Sequence, residues 1–181
     1  MRQYAQARGF HLKTLARWLD WESQDREALF HLVTGLKLSE NHLRDFMDWL
    51  EEIALRDGFA VHQIIAHRNL GEILSDPRLG RADKLKRIKD QLRRWRFPRL
   101  TQTEDRIQAW IRDLKLPSKV RIFVPPGLEG GELHVEITVA THEELKQLSA
   151  RLAETAAKAS VGKIFDALAG REVPDQAGGA D

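Results

Sequence analysis

"LKLSENHLRDFMDWLEEIALRDG", residues 36–58, is the stretch on which the fold turns. Ser39 is a good helix N-cap, a side chain whose oxygen accepts from the backbone N–H groups that a helix start leaves without partners. Leu43, Phe46, Met47, Leu50, Ile53 and Ala54 then recur at three- and four-residue spacing and make one apolar stripe. Asp57-Gly58 ends the helix. Its polar side is acidic: between Ser39 and Asp57 six carboxylates stand against two arginines, a net −4.

The same grammar extends toward the N-terminus. "HLKTLARWLDW", residues 11–21, places Leu12, Leu15, Ala16 and Leu19 on one predicted apolar face. "SQDREALFHLVTG", residues 23–35, repeats the pattern with Leu29, Phe30, Leu32 and Val33, and Gly35 is placed to stop it. Toward the C-terminus a shorter helix is predicted over Val61 to Leu74, and "SDPRLG", residues 75–80, breaks the chain.

"KLKRIKDQLRRWRFPRL", residues 84–100, carries the strongest charge signal. Leu85, Ile88, Leu92 and Trp95 fall within about 80° of a helix circumference, and the seven Lys and Arg from Lys84 to Arg96 spread over the rest. Only a narrow edge can dock. Phe97 precedes Pro98, which pushes it out of helical geometry. Thr101 is the expected cap of the next helix, with Glu104 closing a capping box and Ile107, Trp110, Ile111 and Leu114 forming its apolar side.

Past Pro117 the period changes. "KVRIFV" and "ELHVEITVA" alternate at period two, and "PPGLEGG" between them is a turn or loop, so the pair reads as a hairpin. A two-stranded hairpin alone is marginal in water, so it must lie against the last helix or find strands in a partner chain. "THEELKQLSARLAETAAK" opens with a second capping box, Thr141 with Glu144, and the long final helix is expected to continue through "VGKIFDALAG". The expected organisation is a helical, helix-turn-helix-like module over 1–75, then the basic helix and its successor over 76–117. A hairpin plus helix follows over 118–169, with a disordered polar tail over 170–181. The fold class is mainly α, with a small α+β C-terminal part.

Composition bounds the chemistry. The 181 residues are 42% hydrophobic and 31% charged, as in a folded globular protein. There is no cysteine, which excludes disulfides and thiolate zinc sites. No signal peptide or membrane-length apolar run is present, so a cytoplasmic location is expected. His62 and His67 are five apart and point about 140° from each other on a helix, unsuited to joint chelation. "GLEGGE" is followed by a strand, whereas a phosphate loop needs a helix start. No catalytic, metal or cofactor set emerges and no small-molecule substrate is evident; the expectation is a protein that is not an enzyme.

Charge is unevenly placed. Between Arg78 and Arg99 ten Lys or Arg oppose two Asp, a local +8; the remaining 19 basic and 25 acidic residues give −6. Such concentration is the footprint of a polyanion partner. Lys84, Lys86, Arg87, Lys89, Arg93, Arg94, Arg96 and Arg99 are the candidate phosphate contacts, since each neutralised phosphate releases condensed counterions. These arginines bracket Trp95 and Phe97, and an exposed ring there would stack on a base. The competing reading makes Trp95 part of the docking stripe and the cations a solvated outer face.

Residues Phe10 to Leu50, about 40 of the 181, resemble the central helix-turn-helix region of the bacterial ParB-type chromosome and plasmid partition proteins. A helix like "HLKTLARWL" there precedes one like "QDREALFHLVTG", and a Leu-Ser pair, here Leu38-Ser39, opens the next. The resemblance implies that the helix from Ser39 belongs to a DNA-binding region, with Glu40, Asn41, His42 and Arg44 near its exposed start. Asn41 and Arg44 are chemically able to read base edges. The −4 charge leaves two alternatives: only the first turn approaches DNA, or the three-helix unit persists as a scaffold. The family's N-terminal nucleotide-binding domain is missing, so CTP binding and clamp closure are not implied, and the chain is expected to be a partial protein or a separated domain. The expected partners are DNA and a second copy of the chain, with the hairpin and last helix as dimer surface. The rival is a protein-interaction or scaffold module without nucleic acid, whose basic helix meets an acidic protein surface.

Overall fold

The computed structural model describes residues 1–171. The predicted tail over 170–181 thus lies almost wholly outside the described residues. The chain divides into two compact units, one from Met1 to Phe97 and one beginning at Pro98. The architecture is mainly α with a small α+β part.

Seven helices build the first unit: α1 (Arg2–Ala7), α2 (Leu12–Asp20), α3 (Ser23–Leu36), α4 (Glu40–Asp57), α5 (Val61–Ile65), α6 (Arg68–Ser75) and α7 (Arg81–Arg96). The reading of α4 holds at every point: Ser39 Oγ accepts from the His42 N–H at 3.4 Å, Gly58 ends the helix at φ 72°, and Leu43, Phe46, Met47, Leu50 and Ile53 are buried. They share one core with Trp18, Leu29, Leu32, Val33, Leu36, Leu38 and, from α7, Ile88 and Leu92. The basic helix therefore belongs to the first unit, where the sequence grouped it with the helix that follows.

Four local expectations are corrected. In α2 the buried face is Thr14 and Trp18, and Leu12 is 83% exposed. The helix is turned by roughly a third of a revolution from the leucine stripe, because the larger indole goes inside, against Phe30. α3 runs through Gly35 to Leu36 and closes on Lys37 in the left-handed conformation. The predicted helix from Val61 to Leu74 is two, interrupted at Ala66-His67, where His67 Nδ1 accepts from the Asn69 N–H at 3.2 Å and restarts the chain as α6. After Phe97 the next helix begins at once, with Pro98 in its first position, where a missing N–H costs nothing. Thr101 is thus inside that helix rather than its cap, and Glu104 turns its carboxylate to the Gly127 N–H at 3.0 Å.

The second unit contains α8 (Pro98–Asp113), β1 (Val120–Phe123), a loop of tight turns over Pro126–Gly131, β2 (His134–Ile137), α9 (His142–Ala156) and α10 (Ala159–Leu168). The hairpin is antiparallel with Val120 opposite Ile137 and Ile122 opposite Val135. Val120 is buried, and Ile122 packs against a core of Ile107, Leu114, Ile164 and Leu168. The loop passes through positive φ at Gly127, Leu128, Gly130 and Gly131. Thr141 caps α9 by accepting from the Glu144 N–H at 3.2 Å, and the Glu144 carboxylate accepts from the Ala140 N–H at 2.9 Å. The single long terminal helix of the sequence reading is corrected to two. A break at Ala157-Lys158 lets the Lys158 ammonium reach the Leu114 carbonyl at 3.2 Å and brings α10 onto α8.

Candidate nucleic-acid interface

The first unit distributes its charges by helix face. On α4 the buried stripe forces Asn41, Arg44, Asp45, Asp48, Glu52 and Leu55 outward, and Leu55 is 89% exposed. Each of the six carboxylates of α4 has a partner. Glu40 accepts from the Thr14 hydroxyl at 2.5 Å and from His11 Nδ1 at 2.8 Å. Thr14 first and His11 second hold its carboxyl well below the usual range, at about 2. Asp48 and Glu51 share Arg17 of α2 at 2.6 and 2.5 Å, and Glu51 also accepts from the Trp21 indole at 2.7 Å. The hydrogen bond that Arg17 donates to Glu51 is the leading cause that raises the Arg17 pKa. Asp45 meets Lys89 of α7 at 3.1 Å, Glu52 takes a bidentate hold on Arg96 at 2.5 and 2.7 Å, and Asp57 pairs with Arg56 at 2.6 Å.

The pairs Asp45–Lys89 and Glu52–Arg96 are seven residues apart on both helices, so α4 and α7 run side by side in the same direction. Two turns of α-helix separate the pairs, and they match without slippage. Lys86 lies about one turn before Lys89, as Asn41 does before Asp45, so both occupy the same end of the pair.

The predicted cations of α7 separate into three groups. Lys84, Lys89 and Arg96 work internally: Lys84 donates to the Leu74 carbonyl at 2.7 Å, Lys89 and Arg96 neutralise α4, and both also sit over the Trp49 ring at 5.2 and 5.9 Å. Arg93 and Arg94 are engaged as well. Lys86 and Arg87 are exposed, and among the described residues neither closes an ion pair. Arg99 is exposed in the second unit. Asn41 and Arg44 are exposed, and among the described residues neither side chain makes a hydrogen bond.

The aromatic expectation resolves residue by residue. Trp95 is half-buried in the docking stripe with its ring 4.7 Å from that of His67. Phe97 is 42% exposed, and the Arg96 guanidinium lies 4.8 Å from its centroid. Of the two histidines weighed for chelation, His62 donates its backbone N–H to Asp25 at 2.8 Å and sets its ring 2.7 Å from the same oxygen, which fixes α5 on α3. Among the described residues no group of three or more His, Asp or Glu is placed to hold a metal ion. No described helix is long and apolar enough to cross a membrane.

Sequence reasoning missed Arg17 and Arg56. Arg56 donates to the carbonyls of Trp95 and Arg96 at 2.6 and 2.7 Å and so caps the end of α7. Their spacing carried no signal, because partners 31 to 40 residues away are chosen by packing. No protein-family model matches the chain, and no curated protein and no solved structure matches it significantly.

Proposed function

We propose that the protein binds DNA in the manner of the ParB-like helix-turn-helix region, through the first turn of α4 and the outer face of α7. The observation that carries the reading is the complete pairing of the α4 carboxylates. A net −4 helix would be repelled by phosphates, but Arg17, Lys89 and Arg96 clamped along it bring the surface close to neutral, at −1. Asn41 and Arg44 then stand at the start of this partly compensated helix, where the Glu40 carboxylate is tied back to Thr14 and His11, with Lys86 and Arg87 on the adjoining helix as phosphate contacts. In this division Lys84, Lys89 and Arg96 prepare the surface, and Asn41 and Arg44 supply base readout. Arg93, Arg94 and Arg99 remain in the candidate set without carrying the argument.

A second copy of the chain completes the proposal. The two-stranded sheet has open edges, and an edge strand is self-complementary across a two-fold axis. Phe123, Val135, Val139 and Leu145 are exposed apolar residues of the hairpin, the segment that follows it and the first turn of α9, a surface suited to such pairing.

Titration of fluorescent duplex and single-stranded DNA at ~50 and ~200 mM salt tests the reading. Duplex affinity is expected to fall steeply with salt, and Lys86→Gln with Arg87→Gln to lower both the affinity and the salt slope, by roughly one per lost phosphate contact. Arg44→Ala is expected to cost about 1–3 kcal/mol on a preferred site and little elsewhere. Absence of binding at the lower salt overturns the proposal and leaves the protein-interaction reading, which the internal pairing of Lys84, Lys89 and Arg96 favours.

A further inference from the structure

A groove of about 820 Å³ lies in the first unit between the start of α2, the Gly9-Phe10 turn before it and the opening turns of α4. Met47, without solvent exposure, and half-buried Phe10 give it apolar ground, and Leu12, 83% exposed, stands at its rim. The one acidic residue of the described lining, Glu40, is already engaged. One of its oxygens accepts from the Thr14 hydroxyl at 2.5 Å and from the His11 N–H at 3.1 Å, and the other lies 2.8 Å from His11 Nδ1. Glu40 and Asp48 stand four residues to either side of Arg44 on α4, the spacing at which helical carboxylates ordinarily take up an arginine. Both turn to α2 instead, Asp48 to Arg17 at 2.6 Å. Arg44 therefore keeps its fork of donors at the groove. Among the described residues neither its side chain nor that of Lys13, which also lines the groove, makes a hydrogen bond or an ion pair.

We propose that this groove is the binding site of a small organic acid, one carboxylate carried on an apolar body. Among the described lining residues Lys13, Arg17 and Arg44 are cations and Glu40 is the anion. Asp48 and Glu51, outside the lining, take up Arg17, which leaves a balance of +1 for a ligand. A monoanion meets that balance. A phosphate dianion exceeds it and sets its second charge beside Glu40, where like charges repel. The planar fork of Arg44 matches the two oxygens of a carboxylate in parallel bonds, and the Lys13 ammonium adds a mobile point charge. Phe10, Leu12 and Met47 cover the rest of the ligand, so affinity comes from apolar area removed from water and orientation from Arg44. The occupied groove holds the Arg44 guanidinium at its carboxylate, so the acid competes with DNA for that side chain; this consequence rests on the DNA reading, and the binding itself does not.

Calorimetry on the full chain with four probes tests the site: 1-naphthoate, its neutral analogue 1-naphthamide, acetate, and 1-naphthyl phosphate. Saturable binding of 1-naphthoate is expected, about tenfold weaker in Arg44→Gln, which loses a charge-assisted fork, and a few-fold weaker in Lys13→Gln. Both positions are exposed, so the variants keep the parent's fold and melting curve. Acetate, without the apolar body, and 1-naphthamide, without the charge, are each expected to bind at least about tenfold more weakly than 1-naphthoate, and the phosphate no more tightly. No saturable binding of 1-naphthoate, equal binding of 1-naphthamide, tighter binding of the phosphate, or indifference to Arg44→Gln overturns the proposal. Duplex titration with and without saturating 1-naphthoate separates this reading from the first. Lowered duplex affinity supports both; 1-naphthoate binding by a chain that binds no duplex supports the groove and sinks the DNA reading; duplex binding without 1-naphthoate binding sinks the groove alone.

Discussion

The two units solve the problem of burying apolar surface at different scales. In the first, sixteen buried side chains from six helices and the α3–α4 turn form one cluster, and the large ones, Trp18, Phe46 and Met47, lie at its centre without solvent exposure. In the second, the cluster has four buried members and leans on partly covered neighbours, while Phe123, Val135, Val139, Leu145 and Phe165 stay exposed. Stability tracks the apolar area removed from water. The first unit thus buries the larger core, although Leu12, Leu55, Phe59 and Phe97 stay exposed on it, and the second leaves more apolar surface for each side chain it buries.

The sharpest way to break this contrast is to truncate each core. Phe46→Ala is expected to cost about 3–5 kcal/mol, and Ile164→Ala about 2–4 kcal/mol, in denaturant melts. Trp110 is the one tryptophan of the five that lies in the second unit, so a chain keeping Trp110 alone reports that unit's transition. Equal loss of both transitions in either variant would show that the units unfold together. A smaller effect is expected from Phe123→Asp with Leu145→Asp: sedimentation should shift toward the monomer, while the melting midpoint stays within about 0.5 kcal/mol of the parent. Lys89→Gln and Arg96→Gln should each cost about 0.2–1 kcal/mol in the first unit, because exposed pairs gain little in water. Their larger mark should be on duplex affinity, since each uncovers an α4 carboxylate.

Acid sharpens the comparison further without a mutation in either core. Glu40 is held at about 2 in the folded chain against an ordinary 4.5. Its contribution is therefore present above pH 4.5 and is lost as pH falls toward 2. Glu40→Gln and the parent should differ in melting temperature at pH 6 and converge near pH 2; a constant difference would deny the Thr14–Glu40–His11 clasp its role. Asp76, held at about 2 by Arg78, loses its contribution over a similar interval.

What the sequence made legible was local. Ser39, Gly58 and the Leu43-to-Ile53 stripe define α4 because cap, period and stop agree within one helix. The Ile88–Leu92 stripe, the hairpin alternation and the Thr141 cap were readable for the same reason. The break at Ala66-His67 has no glycine or proline to announce it, and the break at Lys158 depends on a carbonyl 44 residues away. The wrong face of α2 was read because leucine spacing is blind to how much a nearby tryptophan gains by going inside. Within the candidate interface, the residue types were visible but not their division. Lys86 and Lys89 look alike in a string, and only the Asp45 carboxylate opposite one of them tells surface from strut.

The clasp of Arg56 on the final carbonyls of α7 has a mechanical corollary. A helix that feeds straight into another through Phe97-Pro98 would ordinarily fray under tension, its terminal turn being the weakest link. Here the pull is handed sideways to the far end of the eighteen-residue α4, so a load entering at Pro98 is met by the body of the first unit before a turn of α7 can unwind.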